Sequence, residues 1–74
     1  MLRKHSITLS GHRTSFSLED AFLAELKTIA KARNISFAAL VAEIDERRTN
    51  TANLSSALRL HVLDVLKQSA NPEP

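Results

Sequence analysis

Arg13, Ser15 and Ser17 stand at alternate positions of the segment RTSFSL, residues 13–18. In an extended chain alternate side chains share a face, so these residues would present a guanidinium and two hydroxyls in one row. Such a row offers hydrogen-bond donors and acceptors, not a nucleophile with its base. Ser, His and Asp all occur, but they make a catalytic triad only where a fold gathers them around a pocket. A chain of 74 residues with three core-forming helices has scant room for one. The three histidines, His5, His12 and His61, are scattered with no carboxylate at ligand spacing, and there is no cysteine. Disulfides and thiolate metal sites are therefore excluded, and neither a zinc site, a cofactor nor catalysis is expected.

The row needs a strand to hold it. KHSITL (4–9) and RTSFSL both alternate with a period of two, but in opposite phase. Ile7 and Leu9 occupy odd positions, whereas Phe16 and Leu18 occupy even ones. Gly11 lies between the segments and marks the break, as a bulge or as the loop of a hairpin. With the phase reset, Lys4, Ser6 and Thr8 join Arg13, Ser15 and Ser17 on one polar face. Thr14, Phe16 and Leu18 then face inward. A lone two-stranded hairpin is marginal. If RTSFSL instead pairs with the same segment of a second chain, two sets of helices share one core.

Helical patterns follow. The first helix is expected near Leu18, capped by Ser17 with Asp20 as a weak capping box, and to run to residue 33. Phe22, Leu26, Ile29 and Ala30 form its apolar stripe. Asn34 suits the left-handed conformation that ends a helix. Ser36 caps a second helix over 36–48, with Phe37, Leu40, Val41 and Ile44 on its apolar side. Residues 49–53 read as a polar connection, and Asn53 or Ser55 caps a third helix. Leu54, Leu58, Leu60, Val62, Leu63, Val65 and Leu66 cover more than one face of that helix, which predicts burial on two sides. His61 borders its packed face. Asn71–Pro74 reads as a frayed tail.

A chain this short buries only about 60% of the surface its unfolded form exposes. Without cysteine or metal, oligomerisation is the remaining remedy. The formal net charge of +2 permits contact with nucleic acid without requiring it. No apolar run approaches the ~20 residues of a membrane span, and the start lacks the apolar stretch of a signal peptide, so a cytoplasmic protein is expected.

On RTSFSLE as ribbon, residues 18–33 and 36–48 as helices and Asn34-Ile35-Ser36 as turn, residues 13–47 resemble the ribbon-helix-helix repressors, the family of the methionine and Arc repressors. The flanking GHRTSFSLE and NLSSALRL resemble a subgroup of small stand-alone bacterial members with an N-terminal arm and a third helix. The resemblance implies a mainly α fold with a short N-terminal β-ribbon, assembled as an intertwined homodimer plus a C-terminal helix. It divides the chain into an arm or extra strand (1–12), a core (13–48), a C-terminal helix (53–68) and a disordered tail (69–74). Phe16, Leu18, Phe22, Leu26, Ile29, Leu40, Val41 and Ile44 would form the dimer core.

The function it implies is double-stranded DNA binding in transcriptional regulation, by a repressor associated with the nucleoid. The ribbon would enter the major groove, with Arg13, Ser15 and Ser17 meeting base edges. Ser36, with the N–H groups of Phe37 and Ala38, would hold a backbone phosphate, as would Arg3 and Lys4 of the arm. The alternative is an interaction module or antitoxin-like dimer whose third helix binds a partner protein. Two of the three ribbon positions carry short hydroxyls, which discriminate bases poorly.

Overall fold

The computed structural model describes residues 2–9, 11–47 and 53–70. Two strands, β1 (Leu2–Leu9) and β2 (His12–Glu19), are followed by α1 (Asp20–Ala32), α2 (Phe37–Arg47) and α3 (Leu54–Ala70). The strands form an antiparallel hairpin in register from Leu9 opposite His12 to Leu2 opposite Glu19. Only two residues separate them, and the second, Gly11, has φ of +81°. A side chain there would meet nothing within 4 Å, so its cost lies in the backbone conformation alone. The break at Gly11 is thus a hairpin turn, and the pairing of β1 with β2 lies within one chain.

The register resolves the phase conflict. Arg3, His5, Ile7 and Leu9 lie opposite Leu18, Phe16, Thr14 and His12 on one face. On that face Leu9, Phe16 and Leu18 are buried, and Ile7 packs against them. The His5 and Phe16 rings meet across the strands with centroids 5.4 Å apart. The helices cover this face. Leu26, Ile29 and Ala30 of α1 join Leu40, Val41 and Ile44 of α2 and Leu54, Leu58 and Val62 of α3 in one apolar cluster. Phe22 is half-buried at its margin. The eight residues expected in a dimer core therefore pack together within a single chain.

The junctions follow capping chemistry. The α1 helix ends in a Schellman motif: the Ile35 N–H donates to Ala30 O and the Asn34 N–H to Lys31 O, both at 3.0 Å. Asn34 takes the left-handed conformation at φ +60°. One residue further on, the Ser36 hydroxyl accepts the Ala39 N–H at 3.0 Å and opens α2. Arg33 then forks onto the Glu43 carboxylate with bonds of 2.7 and 2.9 Å, tying the end of α1 to α2. Asn53 caps α3 by accepting the Ser56 N–H at 2.7 Å.

Three expectations are corrected. Ser17 does not cap α1. The ladder to Leu2 keeps the chain extended through Glu19, so α1 begins at Asp20 with no side-chain cap bond at Glu19. The third helix is buried on one side only: Leu54, Leu58 and Val62 are covered, but Leu60, Leu63 and Leu66 remain 60%, 50% and 46% exposed. The same helix runs through Ser69 and Ala70, which the expected boundary left in the tail. Arg48, the connection at 49–52 and the tail at 71–74 lie outside the described residues.

Two leucines of α3 test this packing. Leu58→Ala should lower unfolding stability by about 2–5 kcal/mol, because it empties a fully covered site. Leu60→Ala should stay within about 0.5 kcal/mol of the parent. Urea melts of both variants measure the difference; equal losses would mean that the buried side of α3 is misassigned.

Candidate nucleic-acid interface

The face of the hairpin turned away from the helices carries Lys4 opposite Ser17, Ser6 opposite Ser15 and Thr8 opposite Arg13. Five of these side chains are exposed and Ser17 is half-buried. One ammonium, one guanidinium and four hydroxyls thus share a surface two strands wide. The nearest carboxylate along β2 is Glu19, at the end of the strand. It is engaged by Arg59 of α3, whose Nε donates to Glu19 Oε1 at 2.9 Å. That bond, with the guanidinium charge, holds the Glu19 carboxyl below its ordinary range, so its negative charge is matched inside the fold.

Arg3 and Lys4 are separated by the pleat. Arg3 falls on the opposite face and pairs with Asp20 in the first turn of α1, Nε to Oδ1 at 3.2 Å. Among the described residues no carboxylate pairs with Lys4. The two basic residues of the arm thus lie on opposite faces of the hairpin.

The edge of β2 matters as much as its face. With a two-residue connection, Leu9 and His12 close the hairpin as a hydrogen-bonded pair. Even-numbered residues of β2 therefore aim their N–H and C=O groups at β1, and odd-numbered ones aim theirs outward. Ser17 obeys this parity: its N–H donates to Ser55 Oγ of α3 at 3.0 Å. The main-chain groups of Arg13 and Ser15 remain as an open strand edge, which is a template for another strand.

At the start of α2 the Phe37 and Ala38 N–H groups have no acceptor among the described residues, while Ser36 Oγ is used in the cap. An open groove lies alongside, lined by Lys27, Ala30, Lys31, Asn34, Ile35 and Phe37. Sequence reasoning missed Lys27 as a neighbour of this helix start. The signal was present: Lys27 and Lys31 are one turn apart on α1, and the short Asn34-Ile35-Ser36 link returns α2 to their side. Among the described residues no group of His, Asp or Glu side chains could hold a metal ion.

An exposed polar hairpin backed by two helices, with a tight turn between them, defines a small β-ribbon-and-helix protein. The family model described as the ribbon-helix-helix domain matches residues 2–66, and the chain belongs to that family. The match takes in β1 and most of α3 as well as the 13–47 segment. No curated protein and no solved structure matches the chain. Domains of this family are DNA-binding, non-enzymatic regulators that typically form dimers. No helix among the described residues is long and apolar enough to cross a membrane.

His61 gives this fold a pH signature. Its Nε2 is buried with no hydrogen-bond partner. Desolvation lowers its pKa below the usual 6.5; Glu43 and Asp64 oppose the shift, and Arg33 and Arg47 add to it. The unfolded chain therefore binds this proton at higher pH than the folded one, and stability rises with pH across that window. Stability should be fully present above about pH 6.5 and decline as the pH falls through the lower, folded value. His61→Phe should flatten this part of the profile in thermal melts between about pH 7.5 and 5, a range that spans the ordinary histidine pKa. An unchanged slope would mean that another group carries it.

Proposed function

We propose that this protein is a homodimeric regulator that binds double-stranded DNA through its β-ribbon. In this reading the open edge of β2 pairs with the same edge of a second copy, and the two hairpins present their polar faces to the major groove. A two-stranded ribbon is a known fit to that groove. Arg13 would present two donors to guanine O6 and N7, while Ser15 and Ser17 donate to or accept from several base edges. Ser36 and the N–H groups of Phe37 and Ala38 would hold a backbone phosphate, with Lys27 and Lys31 adding positive charge beside it. Phe16, Leu18, Phe22, Leu26, Ile29, Leu40, Val41 and Ile44 would extend from one chain's core into an intertwined dimer core. Repression of transcription in a bacterial cytoplasm is the biological role this supports.

The observation that carries the reading is the exposed hairpin face on which Lys4 and Arg13 present positive charge unmatched among the described residues, while its one carboxylate, Glu19, is paired with Arg59. The dimer would carry twice the +2 of one chain, +4 in all. So small an excess favours modest affinity with a steep salt dependence, unless dimers cooperate along the duplex.

A second reading has its own observation. Leu60, Leu63 and Leu66 leave an apolar stripe on α3, which an antitoxin-like dimer would use to bind a partner protein. If the stripe merely meets solvent, Leu63→Glu will leave the mass in solution and DNA affinity unchanged. If it is an interface, the substitution will break an assembly.

Selection of bound duplexes from a random pool would give the preferred site. Titrating that site with Arg13→Ala should show about 1–3 kcal/mol less discrimination at the contacted base pair, with the fold intact. Retained preference across a range of salt would remove Arg13 from the reading row. A protein that stays monomeric and binds no duplex would sink the proposal altogether.

A further inference from the structure

We infer that β1 is a second DNA-contacting strand, and that its outward residues Lys4, Ser6 and Thr8 grip the sugar-phosphate walls of the groove that β2 enters. This rests on the ribbon reading above, and extends it to a strand that the reading does not need.

Width separates the two pairs of strands. In the hairpin, β1 occupies one edge of β2, so pairing of two open β2 edges makes a four-stranded sheet in the order β1, β2, partner β2, partner β1. Neighbouring strands lie about 4.8 Å apart, which sets the outermost strands roughly 14 Å from each other. The major groove is about 12 Å wide. The central pair fits between the walls, but the outer strands do not. They must ride over the phosphates that line the groove on both sides.

The side chains suit that position. Lys4 brings an ammonium, and Ser6 and Thr8 bring hydroxyls; both groups donate to phosphate oxygens. Each stands directly across from a residue of the reading row: Lys4 from Ser17, Ser6 from Ser15 and Thr8 from Arg13. A strand whose task was only to cover β2 could carry charges of either sign on its wet face. Here the outward face of β1 holds no carboxylate. The contrast with Arg3 points the same way. Arg3, one residue from Lys4 but on the inner face, has its charge matched by Asp20, while Lys4 is left without an acidic partner among the described residues. The polyanionic backbone of DNA is the complement of this row, and duplex sequence would not matter to it.

The test uses the full chain with two duplexes of equal length, the site selected from a random pool and an unrelated sequence. Lys4→Ala should weaken binding to both by a similar factor and leave their ratio unchanged. Two phosphate contacts would be lost per dimer, so the slope of log K against log salt should fall by about 1.8. The double change Ser6→Asp with Thr8→Asp should abolish binding to both duplexes while the melting curve stays close to the parent's. If those aspartates impair folding, Lys4→Ala still decides the matter. A Lys4→Ala protein with the parent salt slope, or with an altered ratio between duplexes, overturns the assignment to phosphates. In either event an Arg13→Ala loss of discrimination would leave the ribbon reading standing. Absence of duplex binding by the parent chain overturns both.

Discussion

The structure depends on one register. Because Leu9 faces His12 across the turn, Leu9, Phe16 and Leu18 come to one side of the sheet, and Lys4, Ser6, Thr8, Arg13, Ser15 and Ser17 to the other. A shift of a single residue would send Phe16 and Leu18 into water and draw Arg13 and the serines beneath the helices. Gly11 makes this register possible by taking a positive φ where the chain reverses. The apolar cluster then holds it, since Leu18 is fully covered by the helices that follow it in the chain.

Legibility in the sequence tracked how local each determinant was. The Schellman ending at Asn34, the Ser36 cap and the Asn53 cap were readable, because each involves residues within five positions of one another. The outward row could also be read once the phase of the two segments was compared. The helix start at Asp20 was misplaced because Ser17 is a good capping residue by type. What overrode it was non-local: a ladder reaching to Leu2 and an acceptor on Ser55, thirty-eight positions away. The choice between a hairpin and an inter-chain ribbon was likewise invisible, since alternation marks a strand without saying which strand lies beside it.

The third helix shows the same limit from another side. Its leucines and valines occur around more than half of its circumference, so composition alone predicted two covered faces. The fold fully covers Leu54, Leu58 and Val62, at a spacing of four, and half-buries Ala57 and Val65 beside them. Arg59 and Ser55 fix its rotation by reaching back to Glu19 and to the Ser17 amide. Those two contacts turn the stripe of Leu60 and Leu63 outward. Nothing in the helix itself distinguishes the two sides; the partners lie some forty positions earlier in the chain.

The short link between α1 and α2 has a mechanical consequence. The Arg33, Asn34 and Ile35 amides donate back into α1, the Ser36 hydroxyl accepts the Ala39 N–H, and the Arg33–Glu43 fork braces the corner from outside. There is no slack in it to act as a hinge. Any push against α1 is therefore transmitted to the first turn of α2 as by a bent rod, so the two helices respond to load as a single lever.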